Sequence, residues 1–255
     1  MLQKIIDISR EAGEAIRKGF RNNISIEFKT DASNIVTNID KASEKIITDF
    51  IKKEFPTHSI IAEETGLTSK NSEYKWVIDP LDGTTNFAHG LPLFSVSIGV
   101  QKNDEIIYGV IYDVMRDTIY SAEKGCGTFE NDKKISVSKN ENLAESLLVT
   151  GFSYDIKNNY MEEINYFAQF LTKVRAIRRL GSAAIDFCYV ANGVFDGFWE
   201  ANLNSWDVCA GLLIVEEAGG RTSDYLGNPV KLNSPNFLAT NGKVHSKMVD
   251  ILKSK

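Results

Sequence analysis

The chain has 255 residues, enough to bury a substantial core, and its 43% hydrophobic and 25% charged residues are ordinary for a soluble globular protein. Its net charge of −5, with a pI near 5.4, provides no basic surface for a phosphate backbone, so direct nucleic-acid binding is not expected. No apolar run approaches the about 18 residues of a membrane span, and the first residues do not form a secretory signal, so we predict a cytoplasmic protein without a membrane association.

The beginning of the chain predicts helices separated by short extended segments. Apolar residues recur at helical spacing over residues 2–20 and again over residues 42–51, and Pro56 ends the second pattern. Between these helices, residues 24–28 alternate apolar and polar side chains, which is typical of a strand. The polar residues 30–34 that follow predict an exposed, mobile loop.

The rest of the chain has two different patterns. Period-two alternation with intervening turn residues over 95–137 predicts an antiparallel meander, whereas strands alternate with helices after about residue 145. The predicted later strands lie at 147–149, 174–177, 195–199 and 237–239, and the predicted later helices lie at 160–171, 181–190, 206–218 and from 243 onward. Because no repeat or linker interrupts the chain, we predict one domain, residues 1–255, with an α+β half over about 1–145 and an α/β half over 146–255.

Residues 76–87 carry the strongest chemical signal. A buried strand at their start is predicted to stop at two acids, Asp79 and Asp82, which Pro80 would hold around a tight turn so that both face one point. The residues at 83–85 predict the start of a short helix whose free backbone N–H groups would face an anion. The same residue types also occur in ordinary turns, so this segment alone leaves a purely structural interpretation open.

Other acids follow strands or open helices elsewhere in the chain. Glu63 follows a short apolar strand and Asp207 opens a helix, while Asp40 and Glu200 occupy similar positions. Carboxylates gathered in a cleft repel one another unless cations lie between them. Since no histidine or cysteine accompanies them at ligand spacing, all-oxygen ligation predicts Mg²⁺, with Mn²⁺ as an alternative. Two such ions with shared carboxylates are the usual means of in-line displacement at phosphorus.

The three cysteines, Cys126, Cys188 and Cys209, are odd in number and widely spaced. This argues against a disulfide framework and against a zinc site built on a CxxC pair. We predict that all three are buried small apolar residues in a reducing compartment.

Two long motifs resemble the signatures of the inositol monophosphatase family. The first is D-P-L-D-G-T-T-N-F at residues 79–87, and the second is W-D-V followed by E-A-G-G within residues 206–220. Glu63 after its apolar strand, and Lys29 eleven positions before Asp40, also stand where the family pattern expects them. The resemblance extends to about residue 242. It implies an α/β (α+β) fold, the five-layered αβαβα sandwich of the inositol monophosphatase and fructose-1,6-bisphosphatase type.

The resemblance implies two or three Mg²⁺ ions per site. Glu63, Asp79 and the carbonyl of Leu81 would hold a first ion. Asp79, Asp82 and Asp207 would hold a second, and Glu63 would contribute to a weaker third.

The resemblance also implies catalytic roles. A metal-activated water would attack phosphorus in line, and Glu63 would belong to the catalytic set with Thr84, which is itself paired with Asp40 and would assist deprotonation of that water. The backbone N–H groups of Gly83 and Thr84 would bind phosphate oxygens.

Four further residues correspond to substrate-contacting positions. Ala183 and Glu200 would contact substrate hydroxyls, together with Asp207. Lys29, on the loop predicted to be mobile, would steer an anion toward the acids.

The implied activity is that of a Li⁺-sensitive inositol-phosphate phosphatase, a homodimer that hydrolyses myo-inositol 1-phosphate to myo-inositol and phosphate. Residues 202–205 depart from the animal pattern, which has a histidine and a cysteine before the Trp-Asp pair. A fructose-1,6-bisphosphatase, or a phosphatase with broad preference for sugar and polyol phosphates, therefore stays open. So does a partner of the transcription machinery with vestigial activity. A haloacid-dehalogenase-type phosphatase is disfavoured, because Asp79 and Asp82 do not have its D-x-D spacing.

Overall fold

The computed structural model describes residues 1–22, 24–29, 34–153 and 156–253, without the side chains of residues 156–159. Residues 30–33 of the predicted mobile loop therefore lie outside the described residues. The helices are α1 Leu2–Gly19, α2 Asn38–Glu54, α3 Thr84–Ala88, α4 Ile156–Leu171, α5 Ala183–Ala191, α6 Ser205–Glu217 and α7 His245–Lys253. The strands are β1 Ile26–Phe28, β2 Ile35–Thr37, β3 Ser59–Ala62, β4 Gly66–Thr68, β5 Tyr74–Asp82, β6 Ser95–Lys102, β7 Glu105–Asp113, β8 Thr118–Glu123, β9 Gly127–Glu130, β10 Lys133–Lys134, β11 Leu147–Thr150, β12 Ala176–Arg178, β13 Gly197–Ala201, β14 Arg221–Ser223 and β15 Asn236–Thr240.

The elements stack in five layers. An eight-stranded sheet has the order β10-β9-β8-β7-β6-β5-β3-β4, and a five-stranded sheet has the order β12-β11-β13-β15-β14. Helices α1 and α2 pack on the outer face of the first sheet, α5 and α6 lie between the two sheets, and α4 and α7 cover the outer face of the second. The predicted αβαβα sandwich is confirmed.

Strand alternation divides the apolar side chains among three cores, because successive residues of a strand point to opposite faces. On β7, Ile111 packs with α5 and α6, whereas the next residue, Tyr112, packs with α1. On β15, Phe237 joins the core between the sheets and Leu238 joins the core under α4 and α7. The middle helices are consequently buried on both sides.

Strand β5 differs from the sequence-based prediction. It does not stop before the acids but continues through Asp79 to Asp82, with a bulge between these two residues. The pairing persists because β6 runs antiparallel alongside, with Ser97 opposite Asp79 and Ser95 opposite Asp82. Pro80 has no N–H for the ladder and lies within the bulge, where such a residue is tolerated.

Other differences concern short elements and one cysteine. The three-residue strands β2, β4 and β14 were not predicted, because three residues are too few to show a period. Strand β13 begins at Gly197 rather than at residue 195. Cys188 and Cys209 are buried as predicted, but the prediction for Cys126 is wrong: it is exposed, in the turn between β8 and β9. None of the helices in the described ranges combines the length and apolarity that a membrane crossing needs.

Candidate active site

A cavity of about 470 Å³ lies where the bulge of β5 meets the starts of α3, α5 and α6. Most of the site residues expected from the sequence line it: Glu63, Asp79, Leu81, Asp82, Gly83, Thr84, Ala183, Glu200 and Asp207. The other two, Asp40 and Lys29, lie behind this lining and reach it through hydrogen bonds to Thr84 and Glu63. Residues that are distant in the sequence are therefore collected at one place.

The bulge fixes the first acid. Asp79 is 2% exposed, and its Oδ1 accepts a hydrogen bond from the Leu81 backbone N–H at 3.0 Å. The carbonyl of Pro80 accepts a hydrogen bond of 2.8 Å from the Ser43 hydroxyl of α2. Helix α2 and the bulge together therefore set the direction of the Asp79 side chain.

The start of α5 fixes the second acid. Oδ2 of Asp82 accepts hydrogen bonds from the Ala184 N–H at 3.0 Å, from the Ser95 hydroxyl at 3.2 Å and from the Ser182 hydroxyl. Burial raises the pKa of Asp82 to about 6, while these hydrogen bonds act in the opposite direction. Ser182 is also the N-cap of α5, so one residue both starts the helix and orients the acid.

The acids in the cavity repel one another. Burial raises the pKa of Asp79 well above its usual range, and the charges of Glu63, Asp82 and Asp207 raise it further. Burial and then Glu63 raise the pKa of Asp207 to about 8, although Asn204 N–H donates to its Oδ2 at 2.6 Å. Repulsion of this kind is relieved by a cation placed between the carboxylates.

The donor set fits a hard divalent ion, since it consists of carboxylate and carbonyl oxygens. Within the described ranges, no group of three or more acidic, histidine or cysteine side chains is arranged so that it could hold a metal ion with the side chains where they stand. The acids therefore share a cavity without forming a finished coordination sphere.

Thr84 and Asp40 form a buried hydrogen-bonded pair. Oγ1 of Thr84 lies 2.8 Å from Asp40 Oδ1 and 3.0 Å from the Leu81 carbonyl oxygen. The other carboxylate oxygen of Asp40 accepts from the Thr37 N–H at 3.0 Å and from the Thr37 hydroxyl. Burial raises the pKa of Asp40, while the bonds from Thr37 and Thr84 lower it. The capping box that begins α2 thus also holds the acid behind Thr84.

Gly83 joins the bulge to α3 in a conformation that favours glycine. Its φ of 92° lies in the left-handed region, and a Cβ there would come within 2.9 Å of the Leu93 carbonyl oxygen. Nearby, Nδ2 of Asn86 donates to the Leu93 carbonyl at 2.8 Å and to the Leu180 carbonyl at 2.9 Å. Asn86 belongs to the first motif, but its role in tying α3 to the start of α5 was not foreseen.

Lys29 contacts Glu63 and Glu64 but does not itself line the cavity. Its Nζ is 2.8 Å from Glu63 Oε1 and 2.5 Å from Glu64 Oε1. Burial by itself lowers the pKa of Lys29, but the two carboxylates outweigh it and hold the pKa above its ordinary value. Lys29 is thus the cationic partner of Glu63.

The cavity also contains the predicted Glu200 and, beside it, residues that sequence reasoning missed. Glu200 is 9% exposed, and burial followed by the charge of Asp207 raises its pKa to about 8. A Cβ on Gly151 would lie 2.1 Å from Glu200 Oε2, so only glycine leaves room for this carboxylate. Arg179 and Asp186 also line the cavity, and burial raises the pKa of Asp186 well above its usual range. Neither residue had a local signal, because a helix acid and a loop arginine are ordinary surface features.

Comparisons with known proteins agree with this fold. The model of the inositol monophosphatase family matches residues 1–254. An inositol-1-monophosphatase from Synechocystis sp. is 44% identical over 232 residues, covering 89% of this chain and 79% of that protein. A Nus factor SuhB from Pasteurella multocida is 40% identical over 252 residues, covering 98% of this chain and 94% of that protein. The crystal structure of the extragenic suppressor protein suhB from Bartonella henselae superposes with a TM-score of 0.95 at 34% identity, covering 99% of this chain and 98% of that one. The chain belongs to the inositol monophosphatase family.

Proposed function

We propose that this protein is a Mg²⁺-dependent phosphatase of small polyol phosphates, with myo-inositol 1-phosphate as the leading substrate. One observation carries the proposal: a single cavity is lined both by the start of α3 at Gly83 and by four acids, Glu63, Asp79, Asp82 and Asp207. The inositol-1-monophosphatase name of the Synechocystis relative supports the choice of substrate.

The acids divide into the two ligand sets that the family pattern suggests. Glu63, Asp79 and the Leu81 carbonyl would hold one Mg²⁺, and Asp79, Asp82 and Asp207 a second, with Glu63 contributing to a third. Bound there, Mg²⁺ would supply Lewis-acid chemistry that activates water and offsets charge on the phosphoryl group. Mn²⁺ has the same ligand preference and is the alternative ion.

Residues of the chain itself would transfer the proton and bind the phosphate. When the Thr84 hydroxyl donates to Asp40 Oδ1, its oxygen is free to accept a proton from a water in the cavity. Asp40 is a suitable final acceptor because its carboxylate is buried and its pKa is raised. The backbone N–H groups of Gly83 and Thr84, at the beginning of α3, would bind phosphate oxygens.

The remaining assigned residues would bind or attract the substrate. Glu200 and Ala183 line the same cavity and would contact the hydroxyls of a polyol, and Asp207, which is also assigned to a metal ion, would contact them as well. Lys29 would influence the site through Glu63, to which it is bound, in addition to attracting anions.

A phosphate-release panel tests the proposal. Purified protein is assayed with and without Mg²⁺ on myo-inositol 1-phosphate, fructose 1,6-bisphosphate and other sugar phosphates. We expect Mg²⁺-dependent release that is fastest with the inositol ester. Fastest release from fructose 1,6-bisphosphate would replace the substrate assignment, and no release from any ester by folded protein would refute the proposal.

Two further expectations come from the family resemblance. Li⁺ at millimolar concentration should inhibit phosphate release by displacing one Mg²⁺, and sedimentation velocity should give the mass of a homodimer. Activity that is indifferent to Li⁺ would show that the metal set differs from the one assigned.

A binding role is the second candidate, because the Pasteurella relative carries the name Nus factor. Immobilised wild-type protein and an Asp82→Asn variant can be compared for retention of purified transcription complexes. Equal retention by both proteins, with hydrolysis lost only in the variant, would establish a binding role independent of catalysis. No retention by either protein would remove this candidate.

A further inference from the structure

Asp186 is a buried acid that lines the cavity and has no role in the proposed chemistry. It is the fourth residue of α5, it lines the cavity, and it is only 1% exposed. Its Oδ1 has no hydrogen-bond partner among the described residues. A buried carboxylate oxygen without a hydrogen bond destabilises the folded state. The presence of an aspartate at this position therefore requires an explanation.

Helix capping does not supply that reason. An acid in the first turn is favoured by the helix dipole, but an exposed carboxylate would satisfy this preference at a lower desolvation cost. The backbone N–H of Ala184 and the Ser182 hydroxyl already donate hydrogen bonds to Asp82. Asp186 is therefore a second acid near the start of α5, where the capping groups already donate hydrogen bonds to Asp82.

The position of Asp186 points to a ligand. The charges that act on Asp186 are those of Glu200 and Asp82, which carry the same sign, and that of Arg179, which carries the opposite sign. Asp186 thus shares one cavity with Asp82, the acid assigned to Mg²⁺, and with Glu200, the acid assigned to substrate hydroxyls, and Arg179 lines the same cavity.

We infer that Asp186 is a specificity residue that hydrogen-bonds a hydroxyl group of the substrate next to the one bound by Glu200. A hydroxyl donates one hydrogen bond and accepts others, so the two carboxyl groups that line this cavity, those of Asp186 and Glu200, match two neighbouring hydroxyls of one substrate. The substrate class is then a phosphate monoester of a polyol or cyclitol with adjacent free hydroxyls. This inference rests on the proposed phosphatase function and makes it more specific.

Two substitutions separate recognition from structure. Asp186→Ala removes the hydrogen-bonding group, and Asp186→Asn keeps a group of the same shape that both donates and accepts. Each variant is assayed on myo-inositol 1-phosphate and on p-nitrophenyl phosphate, which is a phosphate monoester without hydroxyls. We expect Asp186→Ala to lower kcat/KM about tenfold for the inositol ester, as for one lost hydrogen bond, and to leave the aryl ester within about twofold. Asp186→Asn should retain most of the activity on both.

Deoxy-inositol phosphates that each lack one hydroxyl provide a double-mutant cycle between residue and substrate. Removal of the hydroxyl that Asp186 binds should lower kcat/KM in the wild type and cause no further loss in Asp186→Ala. Equal losses on the inositol and aryl esters, no loss on either, or an Asp186→Asn variant as impaired as Asp186→Ala would each overturn the inference.

A control and a binding measurement distinguish this inference from the proposed function. Asp113, the last residue of β7, is also a buried aspartate, but it lies outside the cavity and pairs with Arg116, so Asp113→Asn should leave the ratio of the two activities unchanged. If the wild type hydrolyses neither ester, the phosphatase proposal fails. Calorimetric binding of the inositol ester then still decides the role of Asp186: weaker binding by Asp186→Ala than by the wild type supports it, and equal binding overturns it.

Discussion

The hydroxyl of Thr84 has one proton and two acceptors within reach, Asp40 Oδ1 at 2.8 Å and the Leu81 carbonyl at 3.0 Å. Which acceptor receives the proton decides whether the Thr84 oxygen can take a proton from water. Asp40 carries the charge, and a bond to a charged acceptor is the stronger of the two. This hydrogen bond supports the proposed relay from Thr84 to a buried carboxylate.

Replacement of Thr84 by valine tests this relay. Thr84→Val keeps the shape of the side chain and removes the hydroxyl, so we expect kcat to fall by about 10²–10⁴, the usual contribution of a positioned acid or base. Steady-state phosphate release gives the measurement. Thr84→Ser is the matched control, since it keeps the hydroxyl and should retain most of the activity. Comparable loss in both variants would show that the methyl group, and not the hydroxyl, is needed.

At the scale of the elements, α6 is held close to the large sheet by two glycines. Gly99 on β6 and Gly109 on β7 are register partners, and a Cβ on either would meet α6: Cys209 Sγ at 2.3 Å in the first case and the Ala210 carbonyl at 2.7 Å in the second. The close approach places Asp207, two residues before Cys209, at the cavity. Packing of this element therefore determines the position of a proposed metal ligand.

A side chain at Gly99 should push α6 away from the sheet. We expect Gly99→Ala to lower the free energy of unfolding by about 1–3 kcal/mol, as overpacking of a core does, measured by urea denaturation. Adding Cys209→Ala removes the Sγ contact and should recover part of the loss, whereas Cys209→Ala alone gives the reference. Strictly additive effects of the two substitutions would contradict the contact, because residues that touch are coupled.

A buried histidine of helix α7 forms hydrogen bonds to the smaller sheet. The two ring nitrogens of His245 lie 3.0 Å from the hydroxyls of Ser223 and Thr240. Burial, followed by the charge of Arg221, lowers the pKa of His245 to about 4. The neutral ring is thus the form that the folded state accommodates.

The depressed pKa predicts a pH dependence of stability. The unfolded chain takes up the proton near pH 6.5, before the folded chain does near pH 4, so His245 favours unfolding increasingly as the pH falls through this window. Above about pH 6.5 this contribution to stability is fully present, and about 3 kcal/mol is lost by pH 4. The measurement is the free energy of unfolding of the wild type and of His245→Gln across this range. The difference between the two should depend on pH, and two parallel curves would refute the prediction.

At the scale of the whole molecule, the cavity joins parts of the chain that do not touch in sequence. Asp79 and Asp82 come from the large sheet, whereas Asp207 comes from α6, which also packs on the smaller sheet. A cation bound by all three would therefore connect these layers and would bind only the folded state.

Mg²⁺ should consequently raise the melting temperature. At a concentration about a hundred times the dissociation constant, binding adds about 2.7 kcal/mol, which corresponds to roughly 5–10 °C for a chain of this size. Differential scanning calorimetry with Mg²⁺, against Na⁺ at equal ionic strength, measures the shift. Asp79→Asn should abolish most of it without lowering the melting temperature of the metal-free protein, because it also removes a repelled charge. An equal shift in both proteins would place the ion elsewhere.

Local patterns in the sequence by themselves indicated an α+β half, an α/β half and the acids of the cavity, and the resemblance of two motifs to the inositol monophosphatase family implied the layered fold. Asp79 and Asp82 follow a buried strand, and Asp207 opens a helix, so each was visible within a few residues of its own position. The bulge in β5 was not visible, because it depends on pairing with β6, which lies beyond α3 in the chain.

Only the tertiary structure decided what surrounds those acids. Asp186 is an unremarkable helix acid in the sequence and becomes a cavity residue because the start of α5 docks on Asp82. Lys29 was expected to attract an anion, and the structure also pairs it with Glu63, because the β1–β2 hairpin places it there. The physical reason is the same in both cases. Secondary structure and strand-end chemistry arise from neighbours in the chain, whereas burial and charge pairing depend on residues brought together by packing from 34 to more than 100 positions away.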